Sequence, residues 1–96
     1  MADDEFEWDE AKAARNLKKH HVSFEDARLV FADAYAVERL DERANYGEDR
    51  MVVIGRAKGR LLTVVYTERD ERIRIISARK AGKQEIDDYH QNQASS

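Results

Sequence analysis

The spacing of apolar residues divides the chain into an N-terminal helical part and a C-terminal strand-forming part. In the first part apolar side chains recur every three to four residues, and from Tyr35 onward they alternate with a period of two. The helical part predicts one helix from Asp9 to about His20 and a second that begins at Ser23 and ends near Phe31. Asp9 and Ser23 are residue types that cap helix N-termini, which supports both starting points.

The first predicted helix has a narrow apolar side and a basic end. Its spacing places Ala13, Leu17 and either His20 or His21 on the side that we expect to face a sheet. The helix closes on Lys19, His20 and His21, and cations at this end interact favourably with the helix dipole. Histidine also suits acid–base chemistry near neutral pH, so a capping role and a catalytic role both remain open.

The second part of the chain predicts short strands joined by tight turns. Lys58-Gly59 has the form of a two-residue hairpin turn, and a closing helix is expected from Ala81 to Gln91. Phe6-Glu7-Trp8 indicates a further short strand at an edge. The strands expected in the second part are Ala36–Leu40, Arg50–Ala57, Arg60–Thr67 and Arg72–Ala78.

Consecutive strands with tight turns are typical of an antiparallel meander. The predicted fold class is therefore α+β, with N-terminal helices packed on one face of a small antiparallel sheet and a C-terminal helix after it. We expect residues 1–96 to form a single domain, with residues 1–5 and 92–96 as frayed tails.

Composition limits the kinds of protein and site that fit the chain. The sequence has no cysteine, which excludes a disulfide framework and a thiolate metal site and agrees with a cytoplasmic location. Its longest apolar runs are too short to span a bilayer, so no membrane association is expected. The three histidines (His20, His21 and His90) are poorly spaced to converge on a metal, and neither metal nor cofactor is expected.

The net charge of −3 hides a segregated distribution of charge. Residues 50–80 carry nine bases against three acids, whereas residues 22–49 carry eight acids against three bases. Blocks of opposite sign predict a face that binds a polyanion and an acidic surface elsewhere. Solvated strands and turns can have the same composition, so charge alone does not decide between the two interpretations.

The strand that begins at Arg72 concentrates the candidate phosphate ligands. Counting by twos gives one face of Arg72, Arg74, Ile76, Ala78 and Lys80, and another of Ile73, Ile75, Ser77 and Arg79. The break in alternation at Arg79 indicates either a bulge near the end of the strand or a side chain directed past the edge of the sheet. Arginine binds phosphate through a two-pronged contact and lysine as a point charge, which makes this strand the best candidate for a polyanion site.

A second candidate lies at the start of another predicted strand, where Glu48 and Asp49 precede Arg50. A carboxylate beside an arginine could be a general base next to a phosphate clamp. It could equally be a surface ion pair, which contributes little.

Several segments of the chain together resemble the BrnT family, the toxins of type II toxin–antitoxin pairs. They are FEWDEAKAARNLKKHHVSFEDARLVF, GEDR, the IG…LLTVVYTER stretch and RIRIISARKA, and they span roughly residues 6–90. The resemblance implies a fold similar to RelE-type ribonucleases and a metal-independent cleavage of RNA that blocks translation. It also implies a partner, a BrnA-type antitoxin whose ribbon-helix-helix domain dimerises and binds operator DNA.

Two positions depart from the family pattern. His21 stands where the family usually has glycine after the first helix, and we expect histidine to keep the left-handed turn at a modest cost. Glu10 stands where the family usually has proline, which should affect helix stability more than chemistry.

Under this resemblance the RNA's own 2′-hydroxyl is the expected nucleophile, and each candidate residue has a role. His20 or Glu48 would be the base or acid, Arg50 and Arg79 would stabilise the transition state, and the backbone would be held by Lys19, Arg74 and Lys80. Two alternatives use the same basic face: an inactive module that binds RNA or antitoxin and regulates transcription, and an adaptor that docks an acidic protein.

Overall fold

The computed structural model describes residues 5–42 and 49–95, which fold around one sheet. The described elements are strand β1 (Phe6–Glu7), helix α1 (Glu10–His20), helix α2 (Phe24–Ala27), a 3₁₀ helix (Arg28–Ala32), strands β2 (Val37–Leu40), β3 (Met51–Ala57), β4 (Arg60–Arg69) and β5 (Arg72–Lys80), and helix α3 (Lys83–Ala94). None of the described helices has the length and apolar character needed to cross a membrane. The α+β class is as predicted from the sequence.

The sheet has the order β1-β5-β4-β3-β2, and β2 to β5 form the predicted antiparallel meander. The expectation of a purely antiparallel sheet is wrong, because β1 pairs with β5 in parallel, with Phe6 opposite Ile73 and Glu7 opposite Arg74. The meander leaves one edge of β5 open. Since α1 continues from β1 beside β5 in the same direction, the two residues of β1 can pair with that edge only in parallel.

Helices lie on both faces of the sheet. A β-carbon at Gly55 would lie only 2.9 Å from the Cβ of Val30, so the 3₁₀ helix approaches β3 closely where the strand has a glycine. The next residue, Arg56, points to the other face, where its guanidinium lies 5.6 Å from the ring centre of Tyr89 in α3. The N-terminal helices therefore share one face, as expected, and α3 covers part of the other.

The ends of the N-terminal helices confirm the predicted caps. A carboxylate oxygen of Asp9 accepts hydrogen bonds from the backbone N–H groups of Ala11 and Lys12, at 2.8 and 3.1 Å. The hydroxyl of Ser23 accepts one from the N–H of Asp26 at 3.0 Å. His21 adopts the left-handed conformation (φ 59°, ψ 31°) and donates its N–H to Leu17 at 2.9 Å, so the turn survives without glycine.

The residue that α1 buries against the sheet is Asn16, which is 7% exposed. Its side-chain amide donates to the carbonyls of Val22 and Ala78 and accepts from the N–H of Ala78. The carboxamide thus completes the edge of β5 beyond the point where β1 ends. The expectation that Leu17 packs inward is wrong, since the residue is 50% exposed.

A bulge in β5 changes which side chains share a face. Val65 lies opposite Ser77 and Tyr66 lies opposite Ile75, so Ile76 has no counterpart in β4. Counting by twos is correct on each side of Ile76 but fails across it. The bulge was expected near Arg79 and occurs three residues earlier.

Candidate active site

Three arginines of β5 point to the face of the sheet that carries α3. Ile75 and Ala78, on either side of the bulge, both pack in the core beneath the N-terminal helices. Their neighbours point the other way, which places Arg74 and Arg79 together. Arg72, two residues from Arg74, joins them. The face assignment from the sequence, which separated Arg79 from the other two, is corrected by the bulge.

Arg79 forms a two-pronged ion pair with Glu85, in the first turn of α3. Its Nη1 donates to Oε1 at 2.7 Å and its Nη2 donates to Oε2 at 2.9 Å. The hydrogen bond raises the pKa of the Arg79 guanidinium, so the group stays charged. Arg79 is therefore held at a fixed angle to the sheet.

Glu85 is itself held by groups other than Arg79. Its Oε1 accepts from the hydroxyl of Thr63 at 2.9 Å and from the N–H of Gly82 at 2.7 Å. Burial alone would raise the pKa of Glu85, but the hydrogen bonds from Arg79, Gly82 and Thr63 outweigh it and lower the pKa to about 2. A second arginine, Arg39 of β2, brings its Nη2 to 3.7 Å from Oε2.

These groups lie along an open groove of about 790 Å³ between α3 and the strands. Its floor is apolar at Val52 and Val65. The charged side chains that line it are Arg39, Asp41, Glu42, Arg79, Lys83, Glu85 and Asp88. Because acids slightly outnumber bases, the groove could bind phosphate only through individually positioned arginines and not through its net charge.

Arg74 and Arg72 share one acidic partner from β1. The Nη1 of Arg74 donates to Oε2 of Glu7 at 2.9 Å, and the Nη1 of Arg72 lies 3.8 Å from Oε1 of the same carboxylate. The two arginines remain partly exposed, with side chains 30% and 34% accessible. The parallel pairing of β1 thus places one carboxylate between two of the cations on this face.

Arg50 directly precedes β3 and extends its pairing with β2, since its carbonyl accepts from the N–H of Asp41 at 2.8 Å. The next residue, Met51, packs against the core, so alternation directs Arg50 to the face of Arg74 and Arg79. Glu48, the other candidate base or acid, lies outside the described residues.

The remaining candidates lie at the edge of β5. Asn16 contacts Ala78. His20 is the last residue of α1, one turn after Asn16, and lies on the side of the sheet where β5 is the neighbouring strand. Lys80 lies opposite Leu62, on the face of the N-terminal helices, and Lys19 is exposed in the last turn of α1. The structure groups Arg50, Arg74 and Arg79 on one face and leaves His20, Lys19 and Lys80 at the adjoining edge.

The arrangement of segments along the chain matches a known family. The family model described as a ribonuclease toxin, BrnT, of type II toxin–antitoxin systems matches residues 8–85. The chain belongs to the BrnT family. Among curated proteins, none matches it significantly. The resemblance noted from the sequence is confirmed, and the matched range includes both helix α1 and the Arg79–Glu85 pair.

Membership of the BrnT family gives the chain its general activity and its setting. It is a ribonuclease toxin of a type II toxin–antitoxin system, which implies an antitoxin partner. Within segments 5–42 and 49–95, no group of three or more histidine or acidic side chains is placed to hold a metal ion.

Sequence reasoning missed two residues of this candidate site, Glu85 and Arg39. Glu85 follows Gly82 at the spacing of a capping box, and its carboxylate does accept from the N–H of Gly82. That pattern could have predicted the start of α3 but not the contact with Arg79. No sequence pattern marks Arg39 as a site residue, because its approach to Glu85 depends on how β2 and α3 are arranged in the folded protein.

Proposed function

We propose that this BrnT toxin cleaves RNA without a metal ion, on the α3 face of the sheet at the end of β5, and that cleavage blocks translation. The observation that carries the proposal is the grouping of Arg74 and Arg79 on one face by the bulge at Ile76, with Arg50 on the same face level with Arg74. A backbone that crosses this face would meet a series of guanidinium groups. The fold, helices on a small sheet, is in keeping with a RelE-type ribonuclease.

The proposed reaction uses the 2′-hydroxyl of the RNA as nucleophile. A base removes its proton, the 2′-oxygen attacks the adjacent phosphorus, and the bond to the 5′-oxygen breaks as an acid gives that oxygen a proton. The products are a 2′,3′-cyclic phosphate and a 5′-hydroxyl, and DNA is not cleaved because it has no 2′-hydroxyl.

The charge that develops on the phosphate is the main demand on the protein. Arg79 would stabilise the five-coordinate phosphate, since fixed donors act most strongly where charge grows in the transition state. Arg50 lies level with Arg74, four residues along the sheet from the row of Arg79, and would bind a flanking phosphate. Arg74, Lys19 and Lys80 would hold the flanking backbone. His20, at the end of α1, or Glu48 would transfer the protons.

The experiment is cleavage of RNA by purified protein in EDTA, with and without ribosomes. We expect cleavage and a 2′,3′-cyclic phosphate end. Arg79→Ala should lower the rate by about 100- to 1,000-fold, the usual effect of removing one transition-state donor. His20→Ala tests the proton-transfer role and should lower the rate less if Glu48 shares it.

The control is Arg28→Ala, which removes an exposed arginine from the 3₁₀ helix on the opposite face of the sheet from α3. It should leave the rate unchanged. Cleavage that needs Mg²⁺, or cleavage that Arg79→Ala leaves intact, would contradict the proposal.

We further propose that the partner is a BrnA-type antitoxin, whose ribbon-helix-helix domain binds operator DNA in the complex. The support is family membership together with the arginine face, which a neutralising protein could cover.

A further inference from the structure

Glu85 makes several contacts with residues of the candidate site. It lies on helix α3, whereas the residues proposed to bind RNA lie on other elements. One carboxylate oxygen, Oε1, accepts from Arg79, Thr63 and Gly82, and the other, Oε2, accepts from Arg79 and lies 3.7 Å from Arg39. A carboxylate beside two arginines could either block a phosphate site or hold the arginines in place for it. The two roles differ in which partner faces solvent.

The exposure of the three side chains favours the holding role. The side chain of Glu85 is 11% exposed, whereas those of Arg79 and Arg39 are 41% and 49% exposed. The carboxylate therefore lies behind the guanidinium groups as seen from solvent. A blocking carboxylate would lie in front of them and be the more exposed partner.

The donors that Arg79 keeps are suited to phosphate. Glu85 takes the two terminal nitrogens, and Nη1 also donates to the carbonyl of Lys80 at 3.3 Å. Among the described residues, nothing accepts from Nε or from the second hydrogen of Nη2. These two N–H groups form the side edge of the guanidinium, which can bind two phosphate oxygens in parallel.

Hydrogen bonds anchor helix α3 to the rest of the protein, so the backbone that carries Glu85 is held in place. Tyr89, one turn after Glu85, is 1% exposed and donates its hydroxyl to Asp33 at 2.7 Å. Further along, the side chain of Asn92 donates to the carbonyl of Tyr35 at 2.9 Å. On the other side of Glu85, the N–H of Ala81 donates to the carbonyl of Leu61 at 3.0 Å, so the helix is held both before and after Glu85.

We infer that Glu85 is a positioning residue that holds Arg79 and Arg39 beside one carboxylate oxygen, so that both guanidinium groups bind the reacting phosphate. This inference rests on the proposed function and adds Arg39 as a phosphate-binding residue. Glu85 itself touches no RNA. Its negative charge offsets part of the repulsion between the two arginines and leaves the side edge of Arg79 free for substrate.

Glu85→Gln tests the inference with little change in side-chain size. The amide oxygen can still accept from Gly82 and Thr63, but the amide nitrogen meets the N–H of Arg79 as donor against donor. We expect kcat for RNA cleavage to fall on the order of 100-fold, the scale of a misplaced reacting group, with KM changed only a few-fold. Arg39→Ala should lower the rate in the same direction.

Asp87→Asn is the matched control on the same helix but outside the groove. The residue is exposed, and the same change of acid to amide should leave kcat within a few-fold of wild type. Thr63→Val weakens the positioning of Glu85 without changing Glu85 itself, since it removes one hydrogen bond to Oε1. It should lower kcat by about 5-fold, the worth of one net hydrogen bond, and it carries the test if Glu85→Gln does not fold.

The side-chain NMR signals of Arg79 separate positioning from a general loss of structure. We expect the Nη–H signals that bond to Glu85 to be slow to exchange in wild type and in Asp87→Asn, and fast in Glu85→Gln, while the thermal transition remains cooperative. A Glu85→Gln enzyme as fast as wild type or faster would overturn the inference, because a blocking carboxylate gives that result. If Arg79→Ala cleaves normally, the proposed function fails instead, whatever Glu85→Gln does.

Discussion

At the scale of single residues, His21 shows how a side chain can occupy a position that favours glycine. Its φ of 59° lies in the left-handed region, and its N–H closes the last turn of α1 on Leu17. The conformation costs a non-glycine residue roughly 1–2 kcal/mol in the folded state, a strain that glycine avoids. Glycine would lose part of that gain in stability because its backbone has more freedom in the unfolded chain. The imidazole is exposed.

We therefore expect His21→Gly to raise the free energy of unfolding by about 0.5–1 kcal/mol, the strain relieved less the cost of glycine's flexibility. Urea denaturation measures the change. His20→Gly is the control, because residue 20 is still helical, and it should lower stability by about 0.5–1 kcal/mol. A less stable His21→Gly protein would mean that the imidazole makes contacts worth more than the strain.

The sequence predicted residue-level features where the determining groups are close in the chain. Asp9 and Ser23 cap N–H groups two or three residues away, so side-chain type alone indicated both helix starts. The pair of Arg79 and Glu85 spans only six residues but joins a strand to a helix, and no local rule sets that geometry.

At the scale of elements, α1 and β5 are joined by a carboxamide that acts as an extra strand residue. Asn16 presents one acceptor and one donor to Ala78, the same pair of bonds that a neighbouring strand would make there. Its second amide hydrogen bonds to Val22, after the turn at the end of α1. One buried side chain thus sets the distance between helix, turn and strand.

Asn16→Ala should lower the free energy of unfolding by about 3 kcal/mol, because it leaves three buried backbone groups without partners. Equilibrium urea denaturation provides the measurement. Asn92→Ala is the matched control at an exposed site, where the side chain donates to Tyr35, and should cost less than about 1 kcal/mol. Equal losses in the two variants would show that water replaces Asn16 at the strand edge.

The elements themselves were predictable, but their exact arrangement was not. Period and turns located the strands to within two residues, and hairpin turns specified their antiparallel order. The parallel pairing of β1 could not be anticipated, since two residues carry little pattern and their partners lie over sixty positions away. The single extra residue at Ile76 then reversed the faces assigned to half of β5.

At the scale of the whole molecule, the net charge of −3 extends to the arginine face itself, where acids slightly outnumber bases in the groove and pair with individual arginines. Overall charge would repel RNA weakly at long range, whereas several guanidinium groups attract phosphate at contact distance. The same groups offer an antitoxin a target for its carboxylates. RNA and antitoxin would then compete for one surface.

We expect the chain expressed alone to arrest growth and degrade RNA, and co-expression of a ribbon-helix-helix antitoxin to restore growth. In a binding assay the antitoxin should displace labelled RNA from an Arg79→Ala toxin, which binds more weakly but does not destroy the label. Harmless expression of the wild-type chain would favour the inactive regulatory module. A ternary complex of toxin, antitoxin and RNA would show that neutralisation does not act by covering the site.

The pairing of β1 with β5 also bears on when a newly made chain becomes dangerous. Phe6 and Glu7 are synthesised early, but their partners Ile73 and Arg74 follow more than sixty residues later, and Glu85 later still. At about 5–20 residues per second, the interval between Phe6 and Arg79 is on the order of 4–15 s, and during it the sheet lacks the strand that carries Arg79. Under the proposed function, a nascent toxin would stay inactive until β5 and the first turn of α3 had been made.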